Sequence, residues 1–242
     1  MSCFGKRKLH MTLIDPAFQE PEKAGNIAEN AEIAGTDYIM IGGSTSVTRE
    51  KLEGTIGKIR QHSTRKIIIF PGSSDTISPH ADAIYFMSLL NSADPEFIIG
   101  HQARAAPHLK AMGIETISMG YIVFYPGMTV GRVGKANLIS GDGVEKAVSY
   151  SLAAEMLGMK LLYLEAGSGA SEIVNPEIIK AVKRSVGIPV IVGGGIRTPE
   201  SARKVSETGA DIVVTGSIVE RSENVSTALK SIIDAIKRNN ID

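Results

Sequence analysis

The sequence predicts an α/β chain folded as a (β/α)8 TIM barrel, on three observations. Eight short apolar runs recur along the chain, each followed by a turn and, with few exceptions, a stretch of helical periodicity. Several runs are rich in Ile and Val with little polar alternation, as strands covered on both faces of a parallel sheet require. The length of 242 residues is close to the roughly 250 residues typical of this barrel. No linker, low-complexity tract or shift in composition divides the chain, so residues 1–242 read as a single barrel domain.

The strand runs are His10–Asp15, Tyr38–Ile41, Ile67–Phe70, Ala83–Phe86, Thr116–Met119, Leu161–Glu165, Pro189–Gly193 and Ile212–Thr215. After the first, Pro21 suits an opening helical turn, and Ala24, Ile27, Ala28, Ala31 and Ala34 form an inward stripe. Between the third and fourth runs only residues 71–82 remain. Two prolines, a glycine and several serines there argue against a packed helix. The third outer helix is therefore expected to be missing or replaced by an extended segment. That would leave an apolar flank either covered or used to hold something apolar. The long step from the fifth run to the sixth contains glycine-rich residues 123–143, expected to lie over one end of the barrel. Ala147, Val148, Ser151 and Leu152 form a further helical stripe. Asn175-Pro176 and Thr198-Pro199 each place a capping residue before a first-turn proline. The last helix carries Val225, Ala228, Leu229, Ile232, Ile233 and Ile236.

Composition removes several function classes. Lys+Arg and Asp+Glu both number 26, so the net charge is zero and a general nucleic-acid binder is not expected. A single cysteine, Cys3, excludes an intrachain disulfide and a cysteine-based zinc cluster, and it fits a reducing cytoplasmic setting. No run approaches the roughly 18 apolar residues of a membrane span, and the basic N-terminal residues lead into no secretory core.

Barrel enzymes build their sites at the C-terminal ends of the strands. Gly193-Gly194-Gly195 and Gly216-Ser217 follow the last two runs, where a phosphate site is expected. Glycine there lets backbone N–H groups approach an anion, although either cluster alone also serves as a tight turn. Gly167, Ser168 and Gly169 add donors after the sixth run. Glu165 points to the same mouth, either to accept a proton from a hydroxyl or to pair with a rim cation. Tyr163 shares its face, to bind substrate or to fill the barrel. Asp15 before Pro16 suits Mg²⁺ or a local Asp turn, with Ser44 beside it. The five histidines show no ligand spacing and read as structural or surface residues. Arg197 either helps hold phosphate or is solvated.

Taken together, the motifs His10-Met-Thr-Leu-Ile-Asp15-Pro16, Ile41-Gly-Gly-Ser44, Phe70-Pro-Gly72, Phe86-Met-Ser-Leu-Leu-Asn91-Ser92, Tyr163-Leu-Glu165-Ala-Gly-Ser-Gly169, Val192-Gly-Gly-Gly-Ile-Arg197 and Thr215-Gly-Ser217 resemble the geranylgeranylglyceryl phosphate synthase family. They run in order along nearly the whole chain. The resemblance implies a prenyltransferase joining sn-glycerol 1-phosphate to geranylgeranyl diphosphate with release of diphosphate, an early step of archaeal ether-lipid synthesis. It implies Mg²⁺ held by Asp15 and Ser44, and Glu165 as the catalytic base. It implies glycerol phosphate held by Tyr163, Leu164, Glu165, Ala166, Gly167, Ser168, Gly169, Gly194, Gly195, Gly216 and Ser217. Some relatives carry Asn at Ser217. Bacterial relatives carry Lys at Leu13, which aligns this chain with the archaeal-type branch. The family resemblance also implies a homo-oligomer, with Phe97 either an interface anchor or a core residue. A groove for the prenyl tail is expected beside the second to fourth strands. The alternatives are a heptaprenyl-type enzyme with a longer donor, a sugar-phosphate isomerase or aldolase-type barrel, and a non-catalytic phosphate-binding barrel. No strand run ends in the Lys that a Schiff-base aldolase needs.

Overall fold

A computed structural model describes residues 7–43, 47–221 and 224–238. Strands β1 (Leu9–Ile14), β2 (Tyr38–Gly42), β3 (Ile67–Phe70), β4 (Ala83–Leu89), β5 (Glu115–Val123), β6 (Leu161–Glu165), β7 (Val190–Gly193) and β8 (Ile212–Thr215) pair in parallel in sequence order. The barrel closes where Leu9–Thr12 of β1 pair with Ile212–Thr215 of β8. Around it lie α1 (Pro21–Ala34), α2 (Arg49–His62), α3 (His101–Met112), α4 (Met128–Val133), α5 (Val144–Met156), α6 (Pro176–Ser185), α7 (Pro199–Glu207), α8 (Ser217–Arg221) and α9 (Val225–Lys237).

Strand side chains alternate between two cores. Met11, Met40, Phe70, Tyr85, Met119, Tyr121, Tyr163, Ile191 and Val214 fill the barrel interior. Ile39, Ile41, Ile67 and Ile69 turn outward onto α1 and α2, while Leu162, Leu164, Val190 and Val192 meet the helices of the opposite side. The helix signals act as the sequence predicts. The stripe of α1 is buried, Asn175 caps α6, and Thr198 and Ser201 form a reciprocal capping box on α7.

No helix joins β3 to β4. Residues 71–82 cross the flank instead, and Ile77 and Ala81 are buried on the outer core, so the flank is covered by an extended segment. Two strands run further than their apolar patterns indicate. β4 continues to Leu89, and β5 passes through Gly120 to Val123. Gly120 is a packing contact and not a turn, since a Cβ there would lie 2.9 Å from Ala154 of α5 and 3.0 Å from Leu90.

The long β5–α5 connection contains α4 and lies over the barrel mouth, as its glycine content led us to expect. Buried Asn91 fastens it. Its Nδ2 donates to the carbonyls of Val123 (2.8 Å) and Asn137 (3.0 Å), and its Oδ1 accepts from the Val123 N–H at 3.0 Å. Ser92 Oγ donates to the Gly134 carbonyl at 2.7 Å. Every polar atom of the Asn91 amide except one lone pair is thus engaged, which makes its burial affordable.

His10 is fully buried on the outer face of β1, with Nδ1 2.9 Å from Thr36 Oγ1 and Nε2 2.9 Å from Thr215 Oγ1. Burial, with a smaller contribution from Lys237, lowers its pKa from 6.5 to about 3. The unfolded chain therefore binds a proton that the folded chain refuses. Stability is complete above about pH 6.5 and falls as the pH drops from there toward 3. Thermal melts at pH 7 and pH 5 should show a smaller acid loss of Tm for His10→Gln than for wild type. Equal losses would remove His10 from the pH response.

Candidate functional site

Four aromatic rings stack edge to face at the upper interior of the barrel. Phe70 lies 6.2 Å from Tyr85, 5.5 Å from Tyr121 and 5.7 Å from Tyr163, and Tyr121 lies 5.2 Å from Tyr163. Above them, at the end of β6, sits the carboxylate of Glu165, 7% exposed. The Gly167 N–H donates to Glu165 Oε1 at 2.6 Å, and the hydroxyls of Tyr163 and Tyr121 are directed to the same group. Burial pushes the Glu165 pKa above its ordinary value and outweighs these three hydrogen bonds, which pull it down. The same surroundings hold the Tyr163 and Tyr121 hydroxyls protonated: burial first, then the neighbouring carboxylate. No cation pairs with Glu165 among the ion pairs of the described residues.

The glycines after β7 create this space. A Cβ on Gly193 would lie 2.2 Å from the Tyr163 hydroxyl oxygen, and one on Gly194 2.5 Å from Glu165 Oε1. Gly194 (φ 84°) and Gly195 (φ 72°) both occupy the left-handed region. Gly195 passes close to the backbone of Glu172. Beside Glu165 opens a small cleft lined by Leu13, Tyr163, Ser168, Gly169, Gly194, Gly195, Gly216 and Ser217, among others. The structure thus brings together Tyr163, Glu165, Ser168, Gly169, Gly194, Gly195, Gly216 and Ser217 as the sequence led us to expect. Leu13 lines the same cleft.

Leu164 and Ala166 do not line the cleft. Both turn their side chains outward into the helix-facing core. Leu164 pairs with Val192 in the sheet, and the Ala166 N–H is taken by the Gly193 carbonyl at 3.2 Å. The Ala166 carbonyl accepts the Gly127 N–H at 3.0 Å. The Gly167 N–H is engaged with the Glu165 carboxylate. Arg197 is turned to a neighbouring cleft, where Nη2 donates to the Ala170 carbonyl at 2.9 Å.

Asp15 stands past β1 against Gly43, at which a Cβ would lie 2.0 Å from Asp15 Oδ2. Asp15 Oδ1 also accepts the Ala17 N–H at 2.9 Å, the local turn expected before Pro16. Ser44, the other expected metal ligand, lies outside the described residues. No group of three or more His, Cys, Asp or Glu side chains is arranged for a metal among the described residues. A single carboxylate nonetheless suits Mg²⁺, which takes one or two protein carboxylates and completes its shell with water and substrate phosphates.

Gly43 also borders a second cavity. This apolar groove runs from the mouth past Phe70, Tyr85 and Tyr121 to the flank between residues 71–82 and α3. It lies where the third helix is missing. Phe97 lines it and is partly buried against the interior core. Tyr121, which lines the groove and reaches Glu165, is the residue that sequence reading missed. The apparent end of the fifth strand at Met119 hid it.

An eight-stranded parallel barrel with a glycine-built cleft, a buried carboxylate and an adjoining apolar groove at its C-terminal mouth defines the class. The PcrB family model matches residues 3–238, and the chain belongs to that family. It is 58% identical over 231 residues to the geranylgeranylglyceryl phosphate synthase of Picrophilus torridus, covering 96% of this chain and 95% of that one. It is 56% identical over 230 residues to the enzyme of that name from Thermoplasma volcanium, covering 95% and 91%. The crystal structure of (S)-3-O-geranylgeranylglyceryl phosphate synthase from Thermoplasma acidophilum in complex with sn-glycerol-1-phosphate superposes with a TM-score of 0.94. That match has 55% identity and covers 96% of this chain and 94% of that one.

The steric role of Gly193 makes a direct prediction. Gly193→Ala should destabilise the protein by about 1–3 kcal/mol, read as a lowered Tm, because the methyl would need the space of a buried tyrosine hydroxyl. Gly57→Ala, on an exposed helical face with nothing within 4 Å, should hold or raise the Tm. A neutral Gly193→Ala would contradict the packing described.

Proposed function

We propose that the protein is a prenyltransferase that forms the ether bond between sn-glycerol 1-phosphate and geranylgeranyl diphosphate and releases diphosphate. The observation that carries this reading is the juxtaposition of the two cavities. A small cleft suited to a phosphate, lined by Tyr163 and Glu165, and a long apolar groove suited to a prenyl chain, lined by Tyr121, adjoin where the two tyrosine rings touch. The names of the close archaeal relatives and the glycerol phosphate complex of one of them support it. The setting is read as cytoplasmic, on the single cysteine. A homo-oligomer is part of the same reading, by resemblance alone.

In this reading the phosphate of the acceptor lies against Gly195, Gly216 and Ser217, and its glycerol hydroxyl faces Glu165. The tail of the donor lies in the groove, with its diphosphate toward Gly43 and Asp15. Asp15 and Ser44 would hold Mg²⁺, which when bound neutralises the diphosphate and assists its departure. The bond between the allylic carbon and the diphosphate oxygen breaks, and the electron pair leaves with diphosphate. The glycerol oxygen bonds to that carbon, and its proton passes to Glu165. Fixing both reactants in one site supplies up to about 7–11 kcal/mol of the barrier reduction. The walls of the groove keep water from the carbon on which positive charge develops.

The test is turnover of purified protein with Mg²⁺, geranylgeranyl diphosphate and sn-glycerol 1-phosphate, with the sn-3 enantiomer as control. Glu165→Gln should lower kcat by about 10²-fold or more while leaving the KM for glycerol phosphate within a few-fold. Because burial raises the Glu165 pKa, wild-type activity should fall with decreasing pH through a group titrating above the ordinary glutamate value. That acidic limb should vanish in Glu165→Gln. Full turnover by Glu165→Gln would remove Glu165 from the mechanism, and equal use of the two enantiomers would remove the acceptor assigned here.

A further inference from the structure

The groove wall contains a helical irregularity that side chains hold in place. After β4 the chain turns through Pro95 and enters α3 by a π turn, Glu96–Gly100, which winds one residue more into the coil than an α-helical turn does. Two successive carbonyls of this turn are caught by side chains. Ser88 Oγ, on β4, donates to the Ile98 carbonyl at 2.7 Å. Gln102 Nε2, on α3, donates to the Phe97 carbonyl at 3.4 Å and also to the Met87 carbonyl of β4. The π turn is thereby tied to the strand on one side and to its own helix on the other.

Ser88 and Gln102 are both 9% exposed. Gln102 Oε1 is buried with no hydrogen-bond partner among the described residues. A half-satisfied amide in an apolar wall is a net cost, and an apolar side chain of similar volume would avoid it. The amide therefore contributes something other than packing, and what its N–H groups do is fix the turn. On the outer side, Glu96 bonds Arg104 and lies 3.4 Å from His101 Nδ1, which anchors the other end of the same turn. Between these ties the turn presents Phe97 and His101 to the groove, stacked edge to face at 5.2 Å, beside Met87 and Gln102.

We infer that Ser88 and Gln102 are positioning residues that hold the π turn as the wall of the donor groove, and that they act on prenyl diphosphate binding through Phe97 and His101. This rests on the reading of the groove as the donor site. The test is steady-state kinetics of Ser88→Ala and Gln102→Leu with each substrate varied in turn, alongside melting curves. The KM for geranylgeranyl diphosphate should rise about three- to tenfold, the scale of one lost hydrogen bond, with kcat and the KM for glycerol phosphate within twofold. The double variant should raise the donor KM by less than the product of the single effects, because both residues act through one turn. A merely structural role would lower kcat and Tm together and leave the donor KM unmoved. That result, or equal shifts in both KM values, overturns the inference. If Gln102→Leu does not fold, Ser88→Ala carries the same test. Wild-type protein inactive on prenyl diphosphates would overturn the functional reading itself, and the inference with it. Active wild type with an unmoved donor KM in the variants overturns only the inference.

Discussion

The structure of the site depends on keeping one carboxylate buried at the end of β6. Glu165 stands among apolar and aromatic side chains where an ionised group is costly, and its compensation comes from the Gly167 N–H and two tyrosine hydroxyls. That arrangement needs volume. Gly193 leaves room for the Tyr163 hydroxyl and Gly194 for the carboxylate itself. Gly193 and Gly194 therefore serve first as space for the carboxylate and its tyrosine. Gly195 and the loop after β8 line the cleft beside them. The conformational freedom usually invoked for such a loop explains the positive φ of Gly194 and Gly195. The close approach of Tyr163 explains Gly193.

A second constraint comes from what the barrel lacks. With no helix between β3 and β4, the extended segment at residues 71–82 and helix α3 leave an apolar groove where other flanks are filled. The β5–α5 connection, fastened by Asn91 and Ser92, extends over the mouth and contributes Val130 and Val133 to that groove. Asn91 and Ser92 belong to one of the motifs by which the family is recognised. Their contacts are structural: they hold the cover on the barrel. The cleft beside Glu165 and the apolar groove adjoin through Tyr163 and Tyr121, one lining each, whose rings stack and whose hydroxyls are both directed to Glu165.

Most of the barrel was legible because parallel strands covered on both faces must be apolar throughout, and because Pro21, Asn175-Pro176 and Thr198-Pro199 start helices by local chemistry alone. The missing helix was legible for the converse reason, since residues 71–82 are too few and too rich in prolines and serines. What pattern reading lost were features defined by partners distant in sequence. Gly120 reads as a break, yet it is a contact with α5, and so the upper half of β5 and Tyr121 went unseen. The π turn has no composition of its own; Ser88 and Gln102, on either side, make it. In the site, Leu164 and Ala166 fall inside a recognised motif but outside the cleft, because strand pairing turns alternate residues away.

The most direct measurement is a crystal structure of this protein soaked with sn-glycerol 1-phosphate. The account predicts the phosphate against Gly195, Gly216 and Ser217, with a glycerol hydroxyl within hydrogen-bond reach of the Glu165 carboxylate. Glycerol phosphate bound elsewhere, or with its hydroxyls turned away from Glu165 and the groove, would contradict it.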